Sequence, residues 1–157
     1  MKRSMVALIA VFALCAIPGT AEAQVRTGIG VGGKMLFPTG ELNDRVKTGW
    51  GLAATGELRL LDIVSGVGEI SYNKFPGEDG TDGAGNEYED IDALGFTVGG
   101  RLYLAMMFVG ADVGYFTDID SAGLLPNIGL RIALLEVMAR YNWSGDNWFE
   151  LRGTVNF

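Results

Sequence analysis

The sequence contains no histidine, and its single cysteine, Cys15, stands near the start of the chain. Disulfide stapling and thiol chemistry are therefore excluded beyond that point, and so is any step that needs an imidazole base. Positive charge is also scarce: 12 Lys and Arg stand against 19 Asp and Glu, a net charge of −7. Such a chain has no electrostatic footprint for nucleic acid, nor for docking on anionic lipid through a basic patch. Past residue 23 no apolar run approaches the roughly 20 residues that a membrane-crossing helix requires. What remains is glycine, 24 residues of it, much of it inside alternating segments rather than confined to turns. Small side chains in that setting suit a tightly curved sheet closing around a narrow interior.

The first 23 residues read as a secretory leader. Lys2 and Arg3 form a positive start, Met5 to Ile17 is apolar, and Ala21-Glu22-Ala23 offers small residues for cleavage before Gln24. An uncleaved N-terminal anchor is the alternative, although the apolar stretch is short for one. Leu14 precedes Cys15, where a lipoprotein cysteine needs a small neighbour, so Cys15 is read as one more apolar residue of the leader. Loss of Lys2, Arg3 and Glu22 moves the net charge from −7 to −8. Residues 24–157 are expected to form one domain.

That domain alternates with period two about eight times, the mark of half-apolar strands. The C-terminal segment is the most informative. Phe149, Leu151, Gly153, Val155 and Phe157 share one face, and Glu150, Arg152, Thr154 and Asn156 the other, so the chain ends with an aromatic on its apolar face. A closing strand of a membrane β-barrel anchors an aromatic in this way. Upstream, strands are expected near residues 27–37, 49–61, 64–74, 94–104, 108–117, 127–134 and 137–143. In each, residues such as Ile29 and Val31, Leu52 and Leu58, Ile70 and Tyr72, or Phe96 and Val98 oppose glycine and polar positions. The expected fold is all-β: an eight-stranded antiparallel up-and-down transmembrane barrel.

Connection lengths suggest an orientation. Long connections are expected at 38–48, 75–92, 117–123 and 144–147, and short ones around 62–63, 105–107 and 135–136. Outer-membrane barrels keep short turns periplasmic and long loops outside, which would put both termini in the periplasm. Trp50, Tyr72, Tyr115, Trp143 and Trp148 fall beside the long connections, where an outer aromatic girdle would sit.

The opposite faces are rich in Gly, Thr, Asn and Ser, and their charges are mixed: Lys34, Arg59, Arg101, Arg131, Arg140 and Arg152 against Glu57, Glu69, Asp112 and Glu150. An ion-paired lumen is the expected environment for these ten. A soluble lipocalin-like or avidin-like binder, with the apolar face inward, is the competing arrangement.

The leader, the eight alternating strands and the terminal Phe157 make the chain resemble the small outer-membrane β-barrel proteins of the OmpA/OmpX and opacity-protein type. Residues 37–44 (FPTGELND), followed by Thr48-Gly49-Trp50-Gly51, look like the first strand-loop-strand unit of such barrels. The resemblance implies outer-membrane localisation, contact with lipid and lipopolysaccharide, and recognition of the strand ending in Phe157 by barrel-assembly machinery. It implies no cofactor and no single activity, because such proteins include adhesins, structural barrels and solute passages.

Chemistry is expected to be absent. The deacylase, palmitoyltransferase, phospholipase and omptin types of outer-membrane barrel all use a histidine. Ser65, Ser71, Ser121 and Ser144 are scattered, with no activating base nearby in sequence. A carboxylate-only hydrolase would have to draw on Glu57, Glu69, Asp112 and Glu150, which are better read as partners of the lumen arginines. The loop at 76–90 carries Glu78, Asp79, Asp82, Glu87, Glu89 and Asp90 among glycines, a set of hard oxygen ligands that could take Ca²⁺. Gly80 breaks the EF-hand spacing, so a solvated acidic loop is the simpler reading. Asn142-Trp143-Ser144 matches a glycosylation acceptor without a context that uses it, and Gly28, Gly30 and Gly33 lack the following helix of a dinucleotide fingerprint. Two roles stay open. One is a closed structural or surface-interaction barrel. The other is a narrow pore, which six lumen bases against four acids would bias toward anions.

Overall fold

The structure, a computed structural model, describes residues 26–60, 63–79, 88–117 and 121–157; the expected leader lies outside these residues. Eight strands follow one another: β1 (Arg26–Thr39), β2 (Gly49–Arg59), β3 (Val64–Phe75), β4 (Ile91–Leu104), β5 (Met107–Phe116), β6 (Ser121–Ile132), β7 (Leu135–Asn142) and β8 (Asn147–Asn156). Each pairs antiparallel with its sequence neighbours, and β8 returns to β1 along a register from Gly30↔Asn156 to Thr39↔Asn147. The sheet is a closed up-and-down barrel. Closure removes both free edges, which would otherwise invite pairing with other chains.

Successive side chains on a strand point to opposite faces, and the burial of each strand alternates accordingly. On β2, Gly51, Ala53, Thr55 and Glu57 turn inward while Leu52, Ala54 and Gly56 turn outward. An eight-stranded barrel has an interior just wide enough to be filled by side chains. Glycine makes room where a large neighbour leans in: Gly129 lies against the ring of Phe108, and an added Cβ there would overlap it. Gly99 stands in the same relation to the Asp112 carboxylate.

The barrel has two distinct ends. The loop end carries the long connections, including a 3-10 turn at Gly40–Asp44, and the turn end carries the start of β1, the end of β8 and three short connections. Two of these are two-residue turns, Ala105–Met106 and Ala133–Leu134, whose first residues take φ of 58° and 53°. A mirror-type hairpin turn needs that left-handed conformation, normally supplied by glycine.

The second of these turns corrects the sequence expectation. The chain reverses at 133–134, not 135–136, because Ile132 pairs with Leu135 and Ala133 supplies the positive φ. Glu136 therefore belongs to β7 and points inward. The third long connection is also shorter than expected, since β6 begins at Ser121 and runs through Pro126. Proline is tolerated there because of strand parity. The amide of Leu124 bonds Trp143 on the β7 side, so the Pro126 nitrogen faces β7 as well. It falls in the gap between the Leu124↔Trp143 bridge and the ladder that starts at Asn127↔Arg140.

Candidate functional site

Among the described residues, ionisable groups are packed most densely in the interior. From β1, β3, β4, β5, β7 and β8, eight ionisable side chains meet along the barrel axis, each no more than 5% exposed. Glu69 lies at the centre. It accepts from Lys34 Nζ at 2.6 Å, from both terminal nitrogens of Arg140 at 2.9 and 3.1 Å, and from Arg152 Nη1. Arg140 in turn donates to Glu150 at 2.8 Å and to Asp112 at 3.3 Å. Arg152 continues to Glu136 at 3.2 Å, and Arg101 Nη1 bonds both oxygens of Glu136 at 3.1 Å. Lys34 also approaches Glu150 at 3.4 Å.

Four cations and four anions make this set electrically neutral. Each buried charge costs several kcal/mol of desolvation, which only close pairing and further hydrogen bonds can offset. Asn127 supplies one such bond, donating to Asp112 at 3.1 Å.

All ten residues expected to pair in the lumen are brought inside, but as two groups. Glu57, Arg59 and Arg131 form a separate triad at the turn end, with Arg131 and Arg59 (3.3 Å) on the two oxygens of Glu57. Sequence reasoning missed Glu136 by assigning it to a turn, and its inclusion cuts the expected excess of bases over acids in the interior from two to one. The network of eight balances, and the surplus positive charge is confined to the turn-end triad.

Apolar side chains close both sides of the network. At the loop end, Trp148 stacks edge-on against Phe116 (4.7 Å between centroids) and Phe75 (5.6 Å). Leu36 and Leu125 pack with them, and the first loop inserts Leu42 and Val46, both essentially inaccessible. Trp148 thus leaves the aromatic girdle in which the sequence placed it. It shares the parity of Glu150 on β8 and points inward at 1% exposure. Trp50, Tyr115 and Trp143 are exposed on the outer face, with Tyr72 beside Trp50 at 6.0 Å. Below the network, Met138, Phe108 and Tyr103 form a smaller cluster, with the Arg101 guanidinium over the Phe108 ring at 4.6 Å. Beyond Tyr103 lies a cavity of about 360 Å³, open at the turn end.

Glu57, Glu69, Asp112 and Glu150 are each engaged by arginine. Ser71 accepts from Asn73 at 3.4 Å, and Ser144 donates to the Asp146 carbonyl at 2.7 Å.

At the loop end, carboxylates of the acidic connection are tied to lysines. Asp79 pairs with Lys47 at 2.5 Å, and Asp90 with Lys74 at 2.9 Å. Asp90 also accepts from the Gly77 amide at 3.0 Å. That amide, then the lysine, holds the Asp90 carboxyl below its usual range, and hydrogen bonding to Asp79 raises Lys47. Glu78 and Glu89 are not drawn into a cluster with them, and Asp82 and Glu87 lie outside the described residues. Among the described residues no group of three or more carboxylates is arranged to hold a metal ion. Comparison of the chain with protein-family models and with curated proteins finds no match.

Proposed function

We propose that this chain is an integral outer-membrane β-barrel, built like the small OmpA/OmpX and opacity-protein barrels, with a structural or surface-interaction role. One observation carries the reading: the distribution of polarity across the wall. Leu52, Ile70, Phe96, Val113 and Ile128 stand outward on five different strands at 48–59% exposure, while the interior is charged, paired and filled. An apolar belt of this extent is unfavourable in water, and hydrocarbon would cover it. A soluble binding barrel has the opposite polarity, with apolar walls around a ligand.

In this reading the long connections are extracellular, both termini are periplasmic, and contact with lipopolysaccharide or a partner falls to the loops. Assembly would be directed through the strand ending in Phe157. The Trp148 plug and the neutral network favour a lumen closed to solute over a narrow pore.

Gel mobility of the outer-membrane fraction, boiled against unboiled, tests the location. A faster unboiled band is expected from a detergent-resistant barrel. A single unshifted band in the soluble periplasmic fraction would overturn the proposal in favour of a soluble binder. Planar-bilayer recording tests the closed lumen, and steady single-channel steps would overturn that part.

A further inference from the structure

We propose that the turn-end cavity is a binding site for a small phosphate-type anion, held between Arg59 and Arg131. The cavity of about 360 Å³ is lined by Arg26, Glu57, Arg59, Tyr103, Arg131 and Asn156. Among the described residues, Arg59 and Arg131 share one carboxylate there, Glu57, and the neutral network above contributes no compensating charge.

The donors are positioned and incompletely used. Arg131 Nη1 bonds Glu57 and the Tyr103 hydroxyl (3.1 Å). Arg59 gives Nη2 to Glu57 at 3.3 Å and lies over the Tyr103 ring at 4.3 Å. Each guanidinium has five N–H donors, so one carboxylate cannot saturate both forks. Sharing Glu57 and Tyr103 fixes the two forks side by side before any ligand arrives, which lowers the cost of binding. They are also reachable. Their side chains are 24% and 16% exposed, whereas Arg101, Arg140 and Arg152 in the network are 3% or less.

A tetrahedral anion with several acceptor oxygens matches two adjacent forks better than a planar carboxylate, which one fork satisfies. The cavity's size limits the anion to something like a pyrophosphate or the phosphate of a small ester. That phosphate could also belong to a lipid headgroup at the barrel rim. Only this lipid source rests on the membrane reading; the site itself is a property of the barrel's turn end.

The test is calorimetric titration of pyrophosphate into the refolded full chain in octyl glucoside. Saturable binding is expected, at least tenfold weaker in Arg59→Gln and in Arg131→Gln. Arg45→Gln, at the loop end, should bind as the unaltered protein does. Glu57→Gln should bind several-fold tighter, because an internal competitor is gone. Arg59→Lys, which keeps the charge and loses the fork, should fall between. Heat-modifiable gel migration checks that each variant has folded.

Absence of saturable binding by the unaltered protein would overturn the proposal, as would equal affinities in Arg59→Gln and Arg45→Gln. Repeating the titration in phospholipid nanodiscs separates the sources. A tenfold loss of pyrophosphate affinity assigns the site to headgroup phosphate, and an unchanged affinity assigns it to free phosphate esters. A protein recovered soluble would sink the membrane reading while the same titration, run without detergent, still decides the site.

Discussion

Replacing Arg140 by leucine tests whether the interior is a balanced network or a loose collection of charges. Arg140 is 1% exposed and bonds three carboxylates, and its removal affects them unequally. Glu69 retains Lys34 at 2.6 Å and Arg152, and Glu150 retains Lys34 at 3.4 Å. Asp112 keeps only the Asn127 amide at 3.1 Å among the contacts described. The variant therefore buries one uncompensated carboxylate, and stripping a partner from a buried pair costs about 3–5 kcal/mol. Asp112→Asn in the same chain restores the balance, now three against three, and keeps the side chain's shape. The double variant should recover at least about 2 kcal/mol of the loss, a coupling of the size seen for groups in one network. Urea unfolding in lipid vesicles, followed by tryptophan fluorescence, reads these differences. As a surface control, breaking Arg45–Asp146, whose side chains are 50% and 25% exposed, should cost at most about 1 kcal/mol. A loss below 1 kcal/mol for Arg140→Leu, or no recovery in the double variant, would refute the network as described.

Three further outcomes can be checked in the same preparation. Trp148→Ala removes the centre of the loop-end plug and should destabilise by about 3–5 kcal/mol, a typical cost of emptying a buried aromatic site; a loss under 1 kcal/mol would mean that the first loop does not seat Leu42 and Val46 against it. Ala105→Gly and Ala133→Gly should each stabilise by roughly 0.5 kcal/mol, because relief of the left-handed alanine, about 1 kcal/mol or more, exceeds glycine's extra unfolded-state entropy. A decrease in the urea midpoint would refute the turn geometry. The loop ties should be pH-dependent at both ends of the scale: Asp90, lowered in the folded state, supports its contacts above about pH 4 and loses them as pH falls through its folded value. Lys47, raised in the folded state, supports its tie to Asp79 below about pH 10 and loses it as pH rises through its own. Protease nicking of the second loop should therefore accelerate at low pH, and Asp90→Asn should nick readily even at neutral pH.

The wall was legible in the sequence because period-two alternation survives whichever side is wet. Ile128 against Asn127, or Leu151 against Arg152, announces a strand and its two faces directly. The turn at Ala133–Leu134 was not legible. Neither residue is Gly, Asn, Asp or Pro, and the alternation of β6 runs into them without interruption. That local silence shifted the turn by two residues and removed Glu136 from the interior. Trp148 failed for another reason. An aromatic beside a long connection fits a girdle or a plug equally well, and only strand parity, counted back from Glu150, separates the two. The first loop's inward turn is a tertiary event with no periodicity to announce it. Leu42 and Val46 are isolated apolar residues in a polar stretch, and their burial depends on the hollow that Phe75, Phe116 and Trp148 leave above them.

The corrected interior also changes where the chain's acidity must reside. Once the network of eight is neutral and the turn-end triad is positive, the net −7 has to sit elsewhere. The four long connections and the strand residues adjoining them hold twelve acids and three bases. All three bases are used as ties: Lys47 to Asp79 between the first and second loops, Lys74 to Asp90 within the second, and Arg45 to Asp146 between the first and fourth. Backbone bonds run beside them, from Lys47 N to Pro76 O and from Glu78 N to Arg45 O. Basic residues at the loop end thus tie described carboxylates of the acidic loops to neighbouring connections against their mutual repulsion. Among the described residues, the interior network is balanced and the turn-end triad carries one positive charge in excess. The neutral network and the Trp148 plug lie between the loop ties and the turn-end triad.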